Sequence, residues 1–497
     1  MSDINKDTNE SMTPIETENV SSGVEISMDD IDIQTPEQLT TGQKMKYLFM
    51  YPLVTSIIKW SFAVLGLVGL ILFIVASVSQ DASAALTKGL QRPVTDFFTK
   101  IYNAIPISMM EIFIFAAILG ILAYLVFIIV RTCQVKGGFR KGGLWMQFFY
   151  TLVAVASVFC LLFSMCCGVA LNNKPFSSIS TYSDTEVTQL EFNESLIYLV
   201  DKINNVLARD IDETKSIFFT KDGASKYAQS GRSTDVIAEK LSEAFDNAAE
   251  EIPELKGSAV VPKELLLVDL YSLMQIGSIY SPFTGEVNVN TYYTEVAIPV
   301  QIAKSMAKQR GFTNDDDASF IAFLVCTQYT DDPYINYAGY FDAYINVGTA
   351  VYNQDGGKDL HLYIANALKE SAKREVVNYV KNLDSLYGIT SDLNFDSSGE
   401  KTSTDSYYDL AKLLLVDLRN KVDTGSVTLD DVEPVSYGRY CNYIVNFYNS
   451  DTQFQNDVET TYYEYHPDEL QTTTPDTTTT DESGLLDTSD SSDSLVA

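Results

Sequence analysis

A serine and two lysines lie at helical spacing in the segment VQIAKSMAKQRGFTNDDDASFIAFL, residues 300–324. Ser305 and Lys308 form an S-x-x-K pattern, which puts a hydroxyl and an amine one helical turn apart, as in penicillin-recognising serine enzymes. Such an enzyme also needs an oxyanion hole, and the sequence has no Ser-Asp-Asn and no Lys-Thr-Gly segment. Chance spacing is therefore the favoured interpretation, and a hydrolase that uses Ser305 and Lys308 is the alternative.

The same segment has the spacing of a zinc-binding helix without its ligands. In an H-E-x-x-H helix, two histidines one turn apart hold the ion and the glutamate activates a bound water. Lys304, Ser305 and Lys308 stand at that spacing here, and a protonated lysine has no lone pair to give a metal. The chain has only two histidines, His361 and His466, and no C-x-x-C pair. We therefore expect no metal, no cofactor and no zinc-type catalytic residue.

Three consecutive aspartates follow at residues 315–317. Asn314 before them and the apolar run FIAFLV after them are typical of a capped helix start, where acidic side chains suit the positive end of the helix dipole. A calcium loop of the EF-hand type would instead need alternating oxygen ligands and a closing glutamate. The residues alone thus predict two helices, with Gly311 ending the first and with Lys304 and Lys308 in solvent.

Three uncharged segments of about 19 or more residues precede these helices, and each is long enough to cross the hydrocarbon core of a bilayer. We predict three transmembrane helices, at residues 53–78, 109–130 and 144–171. Three such segments within a short stretch are not typical of the buried helices of a soluble protein. The chain is therefore expected to be an integral, multi-pass membrane protein.

The positive charges beside the spans predict the orientation. The loop RTCQVKGGFRKGG between the second and third spans holds four Lys or Arg residues, and two lysines precede the first span. Placing these charges inside the cell makes the amino terminus cytoplasmic and everything after residue 171 extracytoplasmic. Lys88, Arg92 and Lys100 in the first loop argue for the opposite orientation.

The net charge of −32 is concentrated at the two ends of the chain. Residues 1–40 hold ten acidic residues and one lysine, and residues 467–497 hold eight acidic residues and no Lys or Arg. Because such segments bury too little apolar surface to offset chain entropy, we predict disordered acidic tails at residues 1–45, in the cytoplasm, and 467–497. The acidity also argues against nucleic acid as a partner, since phosphates would be repelled.

The outer region, residues 180–451, has mainly helical periodicity. One strand or short hairpin is predicted at TGEVNVNTYY, residues 284–293, where apolar and polar residues alternate after turn signals. The expected fold is thus a membrane-anchored, mainly α domain with a small β element. Cys326 and Cys441 both lie in apolar helical patterns, so they are either buried thiols or a disulfide.

Several motifs occur here in a fixed order: SPFTGEVNVN, the helix around residue 304, DDDASFIAFL, DDPYINYAGY and, at residues 436–439, SYGR. Together with the three spans, they resemble a family of bacterial membrane-anchored proteins of unknown function with a predicted zinc-metallopeptidase domain. Typical members read SPFTGEAN, then HEMAHQRGF, EDEANFIAFL and DPYxRYSGY. The resemblance covers about residues 50–450. The two histidines of the family's HEMAH segment align with Lys304 and Lys308, and its glutamate aligns with Ser305. The family's acidic third ligand aligns with Asp317.

The resemblance implies a zincin-like domain whose metal site has been lost. The expected function is that of a pseudoenzyme that binds a peptide or partner protein outside the cytoplasm. The alternatives are an active hydrolase with other chemistry and a structural component of a membrane assembly. The resemblance also predicts that Lys304 or Lys308 pairs with Asp317, so that an ammonium stands where the metal charge would be. The competing expectation puts Asp317 at a helix start and both lysines in solvent.

Overall fold

The computed structural model describes residues 40–43, 53–135, 138–210, 233–274, 276–291, 294–354, 357–373, 375–377, 379, 406–423 and 438–465. The described chain is mainly helical with one small sheet, as expected. The predicted disordered tails lie outside the described residues, apart from the short stretch 40–43.

The first part of the described chain contains three helices that are long and apolar enough to cross a membrane. In chain order its helices are α1 (Leu53–Val78), α2 (Gln80–Leu86), a π-helical turn (Thr87–Gln91), α3 (Arg92–Tyr102), α4 (Met109–Gln134) and α5 (Gly138–Cys166). The spans are parts of α1, α4 and α5. Their apolar side chains are largely exposed, which suits a hydrocarbon solvent and not water.

The first two predicted spans agree with α1 and α4. The third was predicted to end at residue 171, which is beyond the end of α5. α5 ends at Cys166, and a 3-10 turn, Gly168–Ala170, follows it. Val169 and Ala170 are buried. These apolar residues extend the uncharged run without extending the span, because protein rather than lipid covers them.

The chain divides into two compact units. The first comprises residues 1–68 and 118–161, and the second comprises residues 69–117 and 162–497. Within the first unit, the Lys59 Nζ donates to the backbone and side-chain oxygens of Gln147, at 3.2 and 2.9 Å. Because lipid offers no partner to an ammonium group, this pair joins α1 to α5.

The second unit contains the remaining helices and the sheet. In chain order its helices are α6 (Gln189–Asp210), α7 (Thr234–Glu251), α8 (Val268–Leu273), α9 (Ile298–Gln309), α10 (Asp315–Gln328), α11 (Pro333–Tyr352), α12 (Gly357–Ala365), α13 (Ser406–Asp423), α14 (Arg439–Ser450) and α15 (Thr452–Tyr465). Helix α11 packs against α6 and α10, and α10 also packs against α9 and α14. These helices enclose one continuous apolar core.

The sheet has three strands, β1 (Lys263–Glu264), β2 (Ser278–Ser281) and β3 (Glu286–Val289), in the order β1-β3-β2. β2 and β3 form an antiparallel hairpin, and β1 is parallel to β3. Gly285 turns the hairpin with a φ of 66°, a conformation that glycine adopts without strain. The predicted strand or hairpin at residues 284–293 is confirmed.

Both cysteines of the outer region are buried free thiols, so the disulfide alternative is not adopted in this structure. Cys326 lies in α10 and Cys441 in α14. Burial raises the pKa of the Cys441 thiol to about 12. A thiol that stays protonated behaves as a small apolar side chain, which fits the apolar patterns around both residues.

Candidate functional site

Helix α9 carries the residues that the sequence singles out. Pro299 lies in its first turn, where a missing N–H costs nothing. Its end is set by Gly311, which has a φ of 94° and lets the Phe312 N–H reach the carbonyl of Ala307 at 3.2 Å. One face of the helix is apolar and fully buried, comprising Ile302, Ala303, Met306 and Ala307.

Lys304 and Lys308 project from the other side of α9 and meet one carboxylate. The Lys304 Nζ lies 2.6 Å from one oxygen of Asp315, and the Lys308 Nζ lies 2.6 Å from the other. The Asp315 side chain remains 65% exposed. Burial alone would raise the pKa of Asp315, but the charge and hydrogen bonds of the two lysines outweigh it and hold the pKa below its ordinary value. The three side chains form a closed cluster of ion pairs, which we call the lysine-aspartate cluster.

Asp317 is not the partner of either lysine, and the predicted pairing is wrong in this respect. Asp317 is buried and accepts from the Tyr443 hydroxyl at 3.0 Å and from the Phe176 N–H at 3.3 Å. A guanidinium nitrogen of Arg439 lies 3.7 Å away. Burial raises the pKa of Asp317 above its ordinary value, against the hydrogen bond from Tyr443 and the charge of Arg439.

The geometry of α10 explains the difference between the two aspartates. Residues two positions apart on a helix point about 200° apart around its axis. Asp315 therefore faces α9. Asp317 faces α14 and the 3-10 turn Phe176–Ser178, which precedes α6. The competing expectation, that Asp317 belongs to a helix start, is correct, because the Asn314 side chain caps α10 through the N–H groups of residues 316 and 317. The lysines, however, are paired rather than free.

Ser305 and Lys308 make different contacts. Ser305 is 1% exposed, and its Oγ lies 2.8 Å from the Oγ of Ser278 on β2. Lys308 is engaged with Asp315. Serine-lysine chemistry would require Ser305 to leave a buried contact with the sheet and Lys308 to give up its carboxylate.

The described residues contain no group of three or more His, Cys, Asp or Glu side chains that could hold a metal ion. His361 is buried, with its ring 6.1 Å from that of Tyr344 and 5.9 Å from that of Tyr352. Burial lowers the pKa of His361 to about 4, so the ring is neutral and packs in the core. His466 lies outside the described residues.

Arg310 is a structural residue that sequence reasoning missed. Its side chain is almost fully buried and donates from Nε to the Leu255 carbonyl at 2.7 Å and from a terminal nitrogen to the Met306 carbonyl at 3.0 Å. Its guanidinium also lies over the Phe245 ring at 4.0 Å. Burial lowers the pKa of Arg310 to about 10. The sequence did contain a signal for this residue, because Arg310 lies in QRGF, residues 309–312, which matches the end of the HEMAHQRGF pattern.

The segment DDPYINYAGYFDAY supplies core residues and one acidic neighbour of the cluster. Tyr334 and Tyr337 are buried and pack in the helical core. Asp342, on the same helix, accepts from the Tyr440 hydroxyl at 3.3 Å. Burial raises the pKa of Asp342, against the nearby charge of Lys304. Asp342 is thus a second acidic residue near Lys304, which sequence reasoning did not identify.

A protein family with the description "Protein of unknown function (DUF3810)" matches residues 86–415. Because the match spans more than half of the chain, the protein belongs to this family. The matched region contains α3, the sheet and helices α9 to α11, and therefore the whole lysine-aspartate cluster. No curated protein and no solved structure matches the chain. The family description assigns no activity, so the zincin-like part of the resemblance remains a proposal.

Proposed function

We propose that this protein is a membrane-anchored, zincin-like pseudoenzyme that binds a peptide or protein partner outside the cytoplasm. The observation that carries the proposal is the lysine-aspartate cluster. Lys304 and Lys308 stand one turn apart on α9, and their ammonium groups both reach the carboxylate of Asp315. Two helical residues one turn apart and one acidic residue would take the positions of zincin ligands, with lysines in place of histidines and with Asp315 rather than Asp317 as the acidic residue.

The charges of the cluster favour a function without metal. A divalent cation beside Asp315 would meet two ammonium groups, and each would have to lose a proton before it could ligate. The carboxylate of Asp315 already pairs with both ammonium groups, so the contact between α9 and α10 needs no bound ion.

The edge of the sheet offers a place for a ligand. Within the described residues, β2 pairs with β3 alone, so it forms one edge of the sheet. It contacts α9 through the Ser278 and Ser305 hydroxyls. An extended peptide that adds to such an edge gains main-chain hydrogen bonds, and neighbouring side chains give specificity. Lys304 and Lys308 lie on the same helix, α9, and with the exposed Asp315 of α10 they would favour a charged ligand side chain.

The orientation proposed for the molecule follows from the charges beside the spans. Four Lys or Arg residues lie in and beside the loop between α4 and α5, and Lys44 and Lys46 directly precede α1, which favours the cytoplasm for both ends. The domain formed by α6 to α15 is then extracytoplasmic. Three apolar helices support membrane insertion in either orientation.

Restoring the zinc motif tests the zincin-like geometry. In the variant Lys304→His/Ser305→Glu/Lys308→His, two imidazoles should meet Asp315 where the two ammonium groups meet it now. We expect about one zinc per chain in this variant, because two imidazoles, one carboxylate and a water complete a tetrahedral site. The unaltered protein should bind none, as measured by metal analysis after dialysis against a weak chelator.

The matched control adds Asp315→Ala to the triple variant and should lose the zinc. A zinc-free triple variant that keeps its helix content would contradict the zincin-like assignment. Stoichiometric zinc on the unaltered protein would contradict the pseudoenzyme assignment. Digestion of a peptide library by the unaltered protein, abolished by Ser305→Ala, would support the hydrolase alternative instead.

A further inference from the structure

Helix α3 and the turn before it bury polar residues and expose apolar ones. Four polar side chains spaced four residues apart are at most 1% exposed, namely Thr87, Gln91, Thr95 and Thr99. On another face of the helix, Phe97 is 61% exposed and Ile101 is 46% exposed. A surface helix in water has the opposite arrangement, with its apolar stripe towards the core.

The buried polar face is held by specific hydrogen bonds to the rest of the second unit. The Thr99 hydroxyl donates to the Gly285 carbonyl at 2.9 Å, and the Gln309 side-chain amide donates to the Thr99 oxygen at 3.0 Å. The Tyr280 hydroxyl donates to the Thr95 oxygen at 3.3 Å. These bonds orient α3 on the hairpin turn, on β2 and on the end of α9. The outward direction of Phe97 and Ile101 is therefore built into the fold.

A second exposed apolar face lies on and beside the short helix α8. Five large apolar side chains within nine residues are exposed: Leu266, Leu267, Leu270, Leu273 and Met274. Leu273 alone is 66% exposed. Scattered apolar residues are normal on a surface, but a dense group of this kind marks an interaction site.

Both faces border the start of the membrane-spanning helix α4. The N–H groups of Leu266 and Leu267 donate to the carboxylate of Glu111, in the first turn of α4, at 2.8 and 3.1 Å. The ring of Tyr102, at the end of α3, meets the ring of Phe113 on α4 edge to face at 5.9 Å. The apolar surface of the span therefore continues onto α3 and α8.

We propose that the exposed faces of α3 and α8 lie in the interfacial layer of the lipid bilayer, on the side of the membrane that carries the outer domain. Lipid is the occupant that the contacts favour, because α4 enters the hydrocarbon core directly beside both faces. Lys100 is exposed between Phe97 and Ile101, a position from which its ammonium reaches phosphate headgroups while the neighbouring rings and chains enter the acyl region. The same placement accounts for Lys100, one of the positive charges of the first loop that oppose the orientation rule.

Fluorescence quenching in vesicles tests this placement. Trp60 and Trp145 are the two tryptophans of the chain. In a background with both changed to Phe, single tryptophans are introduced by Phe97→Trp on α3 and by Leu273→Trp on α8. The matched control is Val236→Trp, because Val236 is 43% exposed on α7, which belongs to neither face. Each full-length variant is reconstituted into phosphatidylcholine and phosphatidylglycerol vesicles, and its helix content is checked by circular dichroism.

We expect Phe97→Trp and Leu273→Trp to lose about half of their fluorescence to lipids brominated in the upper acyl chain and to be shielded from iodide. Val236→Trp should show the reverse. Quenching of both test positions by iodide as in the control, without quenching by bromolipid, would overturn the proposal. Protection from both quenchers would also overturn it, because a protein surface would then cover the faces. Ile101→Trp and Leu270→Trp repeat the measurement should either first variant fold poorly.

Discussion

At the scale of single residues, the three consecutive aspartates have three different environments. Asp315 is paired with two lysines at the surface, Asp316 is half-buried, and Asp317 is buried between Tyr443 and Phe176. A carboxylate that is exposed is screened by water, so its ion pairs contribute little to stability. A carboxylate that satisfies buried donors contributes more, because removing it leaves those donors unpaired.

This difference predicts the cost of removing each carboxylate. Asp317→Ala should lower the free energy of unfolding by about 1–3 kcal/mol, since the Tyr443 hydroxyl and the Phe176 N–H lose their acceptor. Asp315→Ala should cost at most about 1 kcal/mol. Asp316→Ala is the neighbouring control and should cost at most about 0.5 kcal/mol, from the helix dipole and helix propensity. Equilibrium chemical unfolding in detergent micelles measures all three.

A larger loss for Asp315→Ala than for Asp317→Ala would show that the lysine-aspartate cluster, and not the buried aspartate, stabilises the packing of α9 on α10. The ion pairs of Lys304 and Lys308 would then be stronger than their exposure suggests.

At the scale of elements, a buried ion pair within the sheet also contacts the start of the second span. Lys263 on β1 and Glu286 on β3 are each 1% exposed, and their charged atoms lie 2.8 Å apart. The carboxylate of Glu286 also accepts from the N–H groups of Met109 and Met110, at the start of α4. One side chain therefore neutralises a buried lysine and caps a membrane helix.

Removing the charge of Glu286 should be costly. Glu286→Gln leaves the Lys263 ammonium buried without a counter-charge, so the free energy of unfolding should fall by roughly 3–5 kcal/mol. The matched control is Glu264→Gln, on the exposed side of β1, which should change stability by less than about 0.5 kcal/mol. Chemical unfolding in micelles compares the two, and equal stabilities would mean that Lys263 finds another partner or loses its proton.

At the scale of the whole molecule, the positive charges beside the spans predict which side of the membrane carries the domain formed by α6 to α15. In a chain whose six cysteines are replaced, Lys136→Cys reports on the loop between α4 and α5, which lies outside the described residues. Glu243→Cys reports on the domain because the Glu243 side chain is 62% exposed on α7. Gly285 is unsuitable as a reporter, since a Cβ there would lie 2.3 Å from the Thr99 hydroxyl oxygen.

We expect an impermeant maleimide to label Glu243→Cys in intact cells and to label Lys136→Cys only after the membrane is opened. The reverse pattern would place the domain in the cytoplasm. It would also show that the charges of Lys88, Arg92 and Lys100 in the first loop outweigh those of the later loop.

The amino-acid sequence by itself determined the features that depend on neighbouring residues. Three spans were predictable because a bilayer imposes a length and excludes charge. The end of α9 at Gly311 and the start of α10 at Asn314 were predictable because both follow from local backbone chemistry. The expected hairpin followed from alternation and turn residues in the same way.

Only the tertiary structure decided which side chains meet across elements. The choice of Asp315 over Asp317 depends on how α10 is rotated against α9, and a change of two positions on a helix reverses the face. The buried polar face of α3 follows from its packing on the hairpin and on α9. A local sequence pattern does not show whether a threonine hydroxyl will form its hydrogen bond with protein or with water. Helical period and caps are local, whereas partners are chosen by packing between segments far apart in the chain.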